Sequence, residues 1–103
     1  VMKDKDFLHE LIDEFMEKLP AYLEGFRRNV ETGNAGELAQ QAHKLKGSAG
    51  NLGAALLSSA AGKLEQIGAG GNMMDAPRAL SAVEDEINRF SECAQGINWE
   101  ALD

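Results

Sequence analysis

Residues 42–53 read AHKLKGSAGNLG, and this stretch decides the fold of the chain. Apolar side chains recur in and just before it at alternating spacings of four and three, which places them on one helix face that points at a core. These apolar positions are Leu38, Ala42, Leu45, Ala49 and Leu52. At about 100° per residue, His43 lies roughly 140° from the centre of this face. The pattern therefore predicts an amphipathic helix whose imidazole faces water.

The side of this helix that carries His43 has an unusual composition. Lys46 and Gly47 follow at i+3 and i+4, and Gly50 comes near i+7, so the four residues share one side. Each glycine inside a helix costs about 1 kcal/mol relative to alanine. Close helix packing would explain the glycines, and so would the approach of a large partner to His43. We favour the partner, because both glycines lie away from the apolar face.

The charge of the chain is distributed unevenly. Residues 38–64 hold three lysines and no acidic residue, so this span carries +3, whereas the whole chain carries −7. A positive region on an acidic protein predicts an anionic group or an acidic partner surface there. Chance clustering in a helix rich in Gln, Ala and Ser is the alternative. The net charge argues against nucleic-acid binding, which needs clustered Lys and Arg.

The apolar spacing predicts a long first helix, from about residue 6 to about residue 31. Pro20 interrupts it, and because proline removes a backbone hydrogen bond the helix is either kinked or split there. We expect a kink, since the apolar face resumes in register. After a turn at residues 32–34, the helix that carries His43 begins near Ala35, and Gly53 ends it in a left-handed cap.

Two further helices follow. The third spans about residues 54–67, and the glycine-rich residues 68–72 form a connector. Asp75 caps the fourth helix, with Pro77 in its first turn. No stretch alternates with period two, so we expect an all-α, antiparallel, up-down four-helix bundle. A chain of 103 residues forms one domain, residues 1–103, with a single core.

Several single residues also allow predictions. Cys93 lies among apolar residues at helical spacing, which favours a buried thiol without chemistry. His9 precedes Glu10, but nothing completes a metal site, so we expect a solvated surface histidine. Trp99 lies beyond Gly96 and is expected to fold over one end of the bundle.

The sequence offers a few indications of cellular context. No run approaches the roughly 20 apolar residues that a membrane span needs, so we expect no membrane contact. No leader of the secretory type is visible, and a lone cysteine fits a reducing cytoplasm. Met2 after Val1 suggests an excised or tagged fragment.

The motif His43-Lys44-Leu45-Lys46-Gly47-Ser48-Ala49, followed by residues 51–54, resembles the signature of the histidine-containing phosphotransfer (HPt) domain. The resemblance extends over nearly the whole chain, because residues 15–23 resemble the first bundle helix of that family. Residues 34–38 likewise resemble its usual segment before the histidine helix.

The resemblance implies roles for individual residues. His43 would accept and donate the phosphoryl group, and Lys46 would hold the phosphoryl oxygens. Gly47 would leave room for that group, with Gly50 and Lys44 also at the point of partner access. Glu65 would help to stabilise the phosphoryl group by facing His43 from the next helix, although a slip of one residue would place Gln66 there instead.

The resemblance also implies a mechanism. The partner would be a receiver domain of a response regulator or a hybrid sensor kinase, with an aspartate acceptor and bound Mg²⁺. Transfer would run reversibly from aspartate to histidine to aspartate. This chain has no nucleotide-binding motif, so it would bind no cofactor or metal and would act as a carrier without catalysis of its own. We expect a monomeric domain, either a protein by itself or part of a hybrid kinase.

Three alternatives remain open at this stage. A bundle that binds receivers without transfer is disfavoured by the intact His43, Lys46 and Gly47. A dimerisation domain of an ATP-dependent histidine kinase usually has an acidic residue directly after its histidine, whereas Lys44 stands here. The phosphotransfer domain of a chemotaxis-type kinase, phosphorylated by its own ATP-binding domain, shares the bundle and the motif.

Overall fold

A computed structural model describes residues 4–101, and within this range the chain forms four α-helices and no strand. The helices are α1 (Asp4–Thr32), α2 (Ala35–Asn51), α3 (Ala55–Gly70) and α4 (Ala76–Gln95). A short 3₁₀ helix, Met73–Asp75, precedes α4, and a second, Trp99–Ala101, follows it. None of the described helices is both long and apolar enough to cross a membrane.

The helices run antiparallel to their neighbours. Between α1 and α4, the ring of Phe15 meets that of Phe90 edge to face, whereas Arg27, further along α1, pairs with Glu84, which comes earlier in α4. Short connections join α1 to α2, α2 to α3 and α3 to α4, so consecutive helices reverse direction. The prediction of an antiparallel four-helix bundle is therefore confirmed.

The apolar face of α2 lies at the centre of the core. Its four buried positions are Leu38, Ala42, Leu45 and Ala49, and all four are fully buried. Leu57, Leu64 and Val83 of the two following helices pack into the same cluster. Because this face is fixed against the core, the opposite face of α2 must point to solvent.

The two ends of α2 follow local sequence signals. The Asn34 side-chain oxygen accepts a hydrogen bond from the Glu37 amide at 3.2 Å, which satisfies one free donor of the first turn. At the other end Gly53 has a positive φ of 74°, and the Ala54 amide donates to the Ala49 carbonyl at 2.9 Å. This is the Schellman arrangement, in which glycine ends a helix in a left-handed cap. The predicted cap is confirmed.

The first helix is continuous through Pro20, so the alternative of a split helix is wrong. A kink at this residue stays a prediction. The apolar positions at the start of α1 do not all reach the core, because Phe7, Leu8 and Leu11 are exposed.

Helix α3 continues to Gly70, so the prediction that residues 68–72 form a connector is wrong for the first three of them. Gly68 is buried, and a Cβ atom at this position would lie 2.7 Å from the Ala35 carbonyl oxygen and 2.8 Å from the Ala39 amide nitrogen. This glycine therefore allows α3 to approach the backbone of α2. The helix ends only at Gly71, where φ is 78°.

The C-terminal segment closes one end of the bundle. The Trp99 ring stacks on the imidazole of His9, with centroids 4.2 Å apart and planes 10° from parallel. The same imidazole lies 3.4 Å from the Asp13 carboxylate. The fold-back of Trp99 is thus confirmed. His9 lies at the surface as predicted, with its side chain 43% exposed, but the tryptophan ring shields one face of the imidazole from solvent.

Two smaller predictions are corrected in and before α4. Cys93 is exposed, since its neighbour Ala94 takes the core position and one residue along a helix is a rotation of about 100°. Asp75 precedes the helix, but its side chain makes no capping hydrogen bond. Instead, Asn72 accepts a hydrogen bond from the Met74 amide at 3.1 Å and so caps the preceding 3₁₀ turn.

Candidate functional site

His43 projects from the solvent face of α2. Its side chain is 67% exposed, as the position of the apolar face predicts. The core contacts of Ala42 and Leu45 on either side fix the rotation of the helix about its axis. The imidazole is therefore held on a rigid element, with one side toward α3 and the other open to a partner.

Glu65 of α3 faces the imidazole. Its Oε2 atom lies 2.8 Å from Nδ1 of His43. An ionised carboxylate can only accept a hydrogen bond, so Nδ1 carries the proton and donates it. The lone pair of the neutral ring then lies on Nε2, which becomes the nucleophilic atom. Gln66 is exposed on α3 and does not make this contact.

Lys46 completes a bridge through the same carboxylate. Its Nζ atom lies 2.6 Å from Oε1 of Glu65, so the two carboxylate oxygens bind one cation and one imidazole. The hydrogen bond from Lys46 is the main cause of a lowered pKa of Glu65; partial burial opposes this lowering, and the hydrogen bond from His43 then adds to it. Glu65 is therefore ionised at neutral pH.

Small residues on α3 let it approach this part of α2. A Cβ atom at Gly62 would lie 3.3 Å from Cδ of Lys46, so the aliphatic part of the Lys46 side chain passes over α3 at Gly62. Ser58 donates a hydrogen bond from its hydroxyl to the Lys46 carbonyl at 2.9 Å. Together these contacts fix the distance between the two helices and hence between Glu65 and His43.

The glycines beside His43 differ from each other in their surroundings. A Cβ atom at Gly47 would meet nothing within 4 Å, so close packing does not explain this glycine. A Cβ atom at Gly50 would lie 3.5 Å from the Ser58 hydroxyl, an ordinary contact with α3. Open space at one turn from the nucleophile is therefore a property of Gly47.

Lys44 points away from the bridge. It lines a cleft between α1 and α2, together with residues of α1. Among residues 4–101, no group of three or more His, Cys, Asp or Glu residues is arranged to hold a metal ion. The site thus consists of one nucleophile, one carboxylate, one nearby cation and open space.

A family model described as Hpt domain matches residues 10–93, which is most of the chain. The chain belongs to the Hpt domain family. This membership implies histidine phosphotransfer in phosphorelay signalling and interaction with receiver domains. Comparison with curated proteins and with solved structures gave no match.

Sequence reasoning missed three features of this Hpt domain. The ion pair between Lys46 and Glu65 was not foreseen, although both residues were singled out. Gly62 was not recognised as the residue of α3 that the Lys46 stem crosses, and Lys18 of α1 was not predicted to line the cleft beside Lys44. Each feature depends on how two helices face each other, and the periodicity within either helix does not encode that relation.

Proposed function

We propose that this Hpt domain is a phosphorelay intermediate. His43 takes a phosphoryl group from an aspartyl phosphate of one receiver domain and passes it to an aspartate of another. The contact between Glu65 and Nδ1 of His43 carries the proposal, because it leaves the lone pair on the exposed side of a fixed ring.

The transfer step follows from that tautomer. Nε2 of His43 attacks the phosphorus atom, an N–P bond forms, and the bond between phosphorus and the aspartyl oxygen breaks to release a carboxylate. The product ring keeps its proton on Nδ1 and becomes cationic, so the Glu65 carboxylate stabilises it by charge and by hydrogen bonding. No proton has to leave the ring, which makes the step reversible without a general base.

Lys46 supplies the positive charge nearest to the incoming group. Its ammonium is held by Glu65 before transfer, and its flexible stem allows it to turn toward the phosphoryl oxygens. There it offsets negative charge without acting as an acid or base. The open space at Gly47 admits the phosphoryl group and the active site of the receiver.

The remaining catalytic parts belong to the partner in this proposal. The receiver provides the aspartate and a bound Mg²⁺ ion, and the Hpt domain binds no cofactor. We expect the isolated domain to be a monomer that acts in a cytoplasmic relay, either by itself or within a hybrid sensor kinase. Phosphorylation by the ATP-binding domain of a chemotaxis-type kinase is the alternative, since the same ring geometry suits it.

Labelling experiments test the proposal. We expect no labelling of the protein by ATP and Mg²⁺ alone, and labelling once a member of a panel of phosphorylated receivers is added. The bond should be acid-labile and alkali-stable, as expected for a phosphoramidate. His43→Gln should abolish labelling with helical circular dichroism unchanged, whereas His9→Gln, the matched control, should retain it.

The outcomes separate the alternatives. Labelling of the His43→Gln protein would exclude His43 as the acceptor. Labelling that requires an ATP-binding kinase domain, with every receiver inactive as a donor, would support the chemotaxis-type alternative.

A further inference from the structure

A cleft lies on the side of His43 that faces α1. It is open, has a volume of about 290 Å³, and is lined by Lys18, Ala21 and Tyr22 of α1 and by Gln41 and Lys44 of α2. Lys44 directly follows His43 in the chain, so a partner that reaches the imidazole also covers one wall of this cleft. The fold thereby adds Lys18 to the positive region that residues 38–64 form in the sequence.

The two lysines of the cleft have no partner of opposite charge. The side chains of Lys18 and Lys44 form no ion pair or hydrogen bond within residues 4–101, whereas most other described cations are paired. Arg27, Arg28, Lys46 and Arg89 are among the paired cations. Lys18 and Lys44 bring two like charges to the walls of one cleft, and a carboxylate bound there would be attracted to both.

The other polar groups of the cleft also favour an acceptor. The Gln41 side-chain oxygen already accepts a hydrogen bond from the Asn29 amide at 2.8 Å, so the N–H groups of Gln41 remain to donate. Tyr22 lines the same cleft. The cleft thus offers two cations and the neutral donor group of Gln41, which together fit a carboxylate.

The cleft continues along the same pair of helices. A second cleft shares Lys18 and Tyr22 with the first. Its other lining residues are apolar (Leu11, Phe15 and Leu52) or polar (Glu14, Ser48 and Asn51). A protein surface lying along this groove would place an acidic side chain at the end next to His43, and apolar or neutral polar side chains further along, where Glu14 disfavours a second acid. A small free anion would not use the second part.

We propose that Lys18 and Lys44 together bind an acidic side chain of the receiver domain that exchanges its phosphoryl group with His43. This inference rests on the proposed function. Under this proposal Lys18 and Lys44 determine which receivers bind. A receiver that lacks an acidic side chain opposite the cleft would bury two lysine charges without compensating them.

Charge reversal tests the pair. Lys18→Glu and Lys44→Glu are compared with Lys63→Glu, which changes the net charge equally but lies in the groove between α3 and α4. The probe is the phosphorylated receiver that transfers fastest to the wild-type protein in the panel described above. We measure the initial rate of transfer against receiver concentration at about 0.1 M and about 1 M salt, where the screening length falls from about 10 Å to about 3 Å.

We expect each reversal at the cleft to raise the half-saturating receiver concentration about fivefold at low salt, and Lys63→Glu to raise it less than twofold. The difference should shrink at high salt. Lys18→Arg should retain wild-type behaviour, whereas Lys18→Gln should not, which separates the charge from the packing of the stem.

The results distinguish this inference from the function on which it rests. If the wild-type protein receives phosphoryl groups but the cleft variants match Lys63→Glu, the docking site is excluded and the phosphorelay function stands. Transfer that is equally slow for all three reversals would show a general charge effect and would also exclude the site. If no receiver of the panel transfers to the wild-type protein, both proposals fall.

Discussion

Glu65 connects the nucleophile and the cation of the site through one carboxylate. It fixes the ring proton on Nδ1, and in the proposed transfer it would face a cationic ring once His43 carries the phosphoryl group. The carboxylate charge also lies near the incoming phosphoryl group, which opposes transfer. The fixed tautomer and the stabilisation of the cationic ring both act at the reacting ring itself. We therefore expect these two favourable effects to outweigh the repulsion between Glu65 and the phosphoryl group.

Glu65→Gln tests this balance. The amide can still contact the ring, but it lacks the charge and also carries N–H groups that can donate to Nδ1, so both tautomers become accessible. We expect ¹⁵N NMR of the imidazole to show a mixed population in place of a dominant Nδ1–H form. Transfer should slow by about tenfold. A single unchanged tautomer together with an unchanged rate would remove Glu65 from the mechanism.

The lowered pKa of Glu65 predicts a dependence of stability on pH. A carboxylate whose pKa is lowered on folding contributes stability that is present above its ordinary value of 4.5 and is lost as the pH falls through its folded pKa. The difference in melting temperature between the wild-type protein and Glu65→Gln should therefore shrink between about pH 6 and about pH 3. A difference that stays constant over this range would contradict the ion pair with Lys46.

Gly47 is the residue at which steric access and helix stability are separable. Because a Cβ atom there meets nothing within 4 Å, Gly47→Ala should stabilise the domain, by up to about 1 kcal/mol. Transfer should slow with alanine and slow further with glutamine, which reaches into the space beside His43. Thermal melts and transfer kinetics on both variants decide the matter. Full transfer by Gly47→Gln would show that the space is not needed.

At the scale of the elements, the packing of α3 on α2 positions Glu65 opposite His43. Gly68 is the tightest point of this packing, since a Cβ atom would collide with backbone atoms of α2 that cannot turn away. Gly70 lies on the same helix, and a Cβ atom there would meet nothing within 4 Å. The two glycines form a matched pair.

Gly68→Ala should destabilise the domain by about 1–3 kcal/mol through overpacking. Gly70→Ala should leave stability unchanged or raise it slightly, because alanine is the better helix former. Urea denaturation of the two variants gives the comparison. If Gly68→Ala and Gly70→Ala change the free energy of unfolding equally, the close approach of the helices at Gly68 does not contribute to stability.

The helix bounds show which signals are local. The sequence predicts α2 correctly because an Asn cap and a left-handed glycine act through their own backbone neighbours. It misplaces the end of α3 because Gly68 serves the contact with another helix, and in a single sequence such a glycine is indistinguishable from a loop glycine. The choice between Glu65 and Gln66 has the same origin, since it depends on the rotation of α3 against α2.

At the scale of the molecule, α1 is longer than its neighbours. Its 29 residues extend about 43 Å, whereas the 17 residues of α2 extend about 26 Å. The start of α1 therefore projects past α2, which leaves Phe7 and Leu8 exposed. The C-terminal segment reaches this overhang through the stack of Trp99 on His9, so it joins the first and last parts of the described chain.

This stack predicts a coupling between the two ends that does not involve the phosphotransfer site. Trp99→Ala and His9→Ala should each lower the free energy of unfolding by about 0.5–1.5 kcal/mol, the usual contribution of an aromatic pair. Because each substitution removes the same stacking contact, the double variant should lose less free energy of unfolding than the sum of the two single losses. Chemical denaturation of the three variants and the wild-type protein gives the cycle.

Phosphotransfer through His43 should be unchanged in all three variants. On α1, residue 9 lies about 20 Å from Tyr22, which lines the cleft beside Lys44, if the helix rises 1.5 Å per residue. Trp99 is the single tryptophan of the chain, so its fluorescence reports the stack directly. If the stack is part of the cooperative fold, fluorescence and helical circular dichroism should change at the same denaturant concentration. An earlier fluorescence transition, with additive effects in the cycle, would show that the C-terminal segment detaches independently of the bundle.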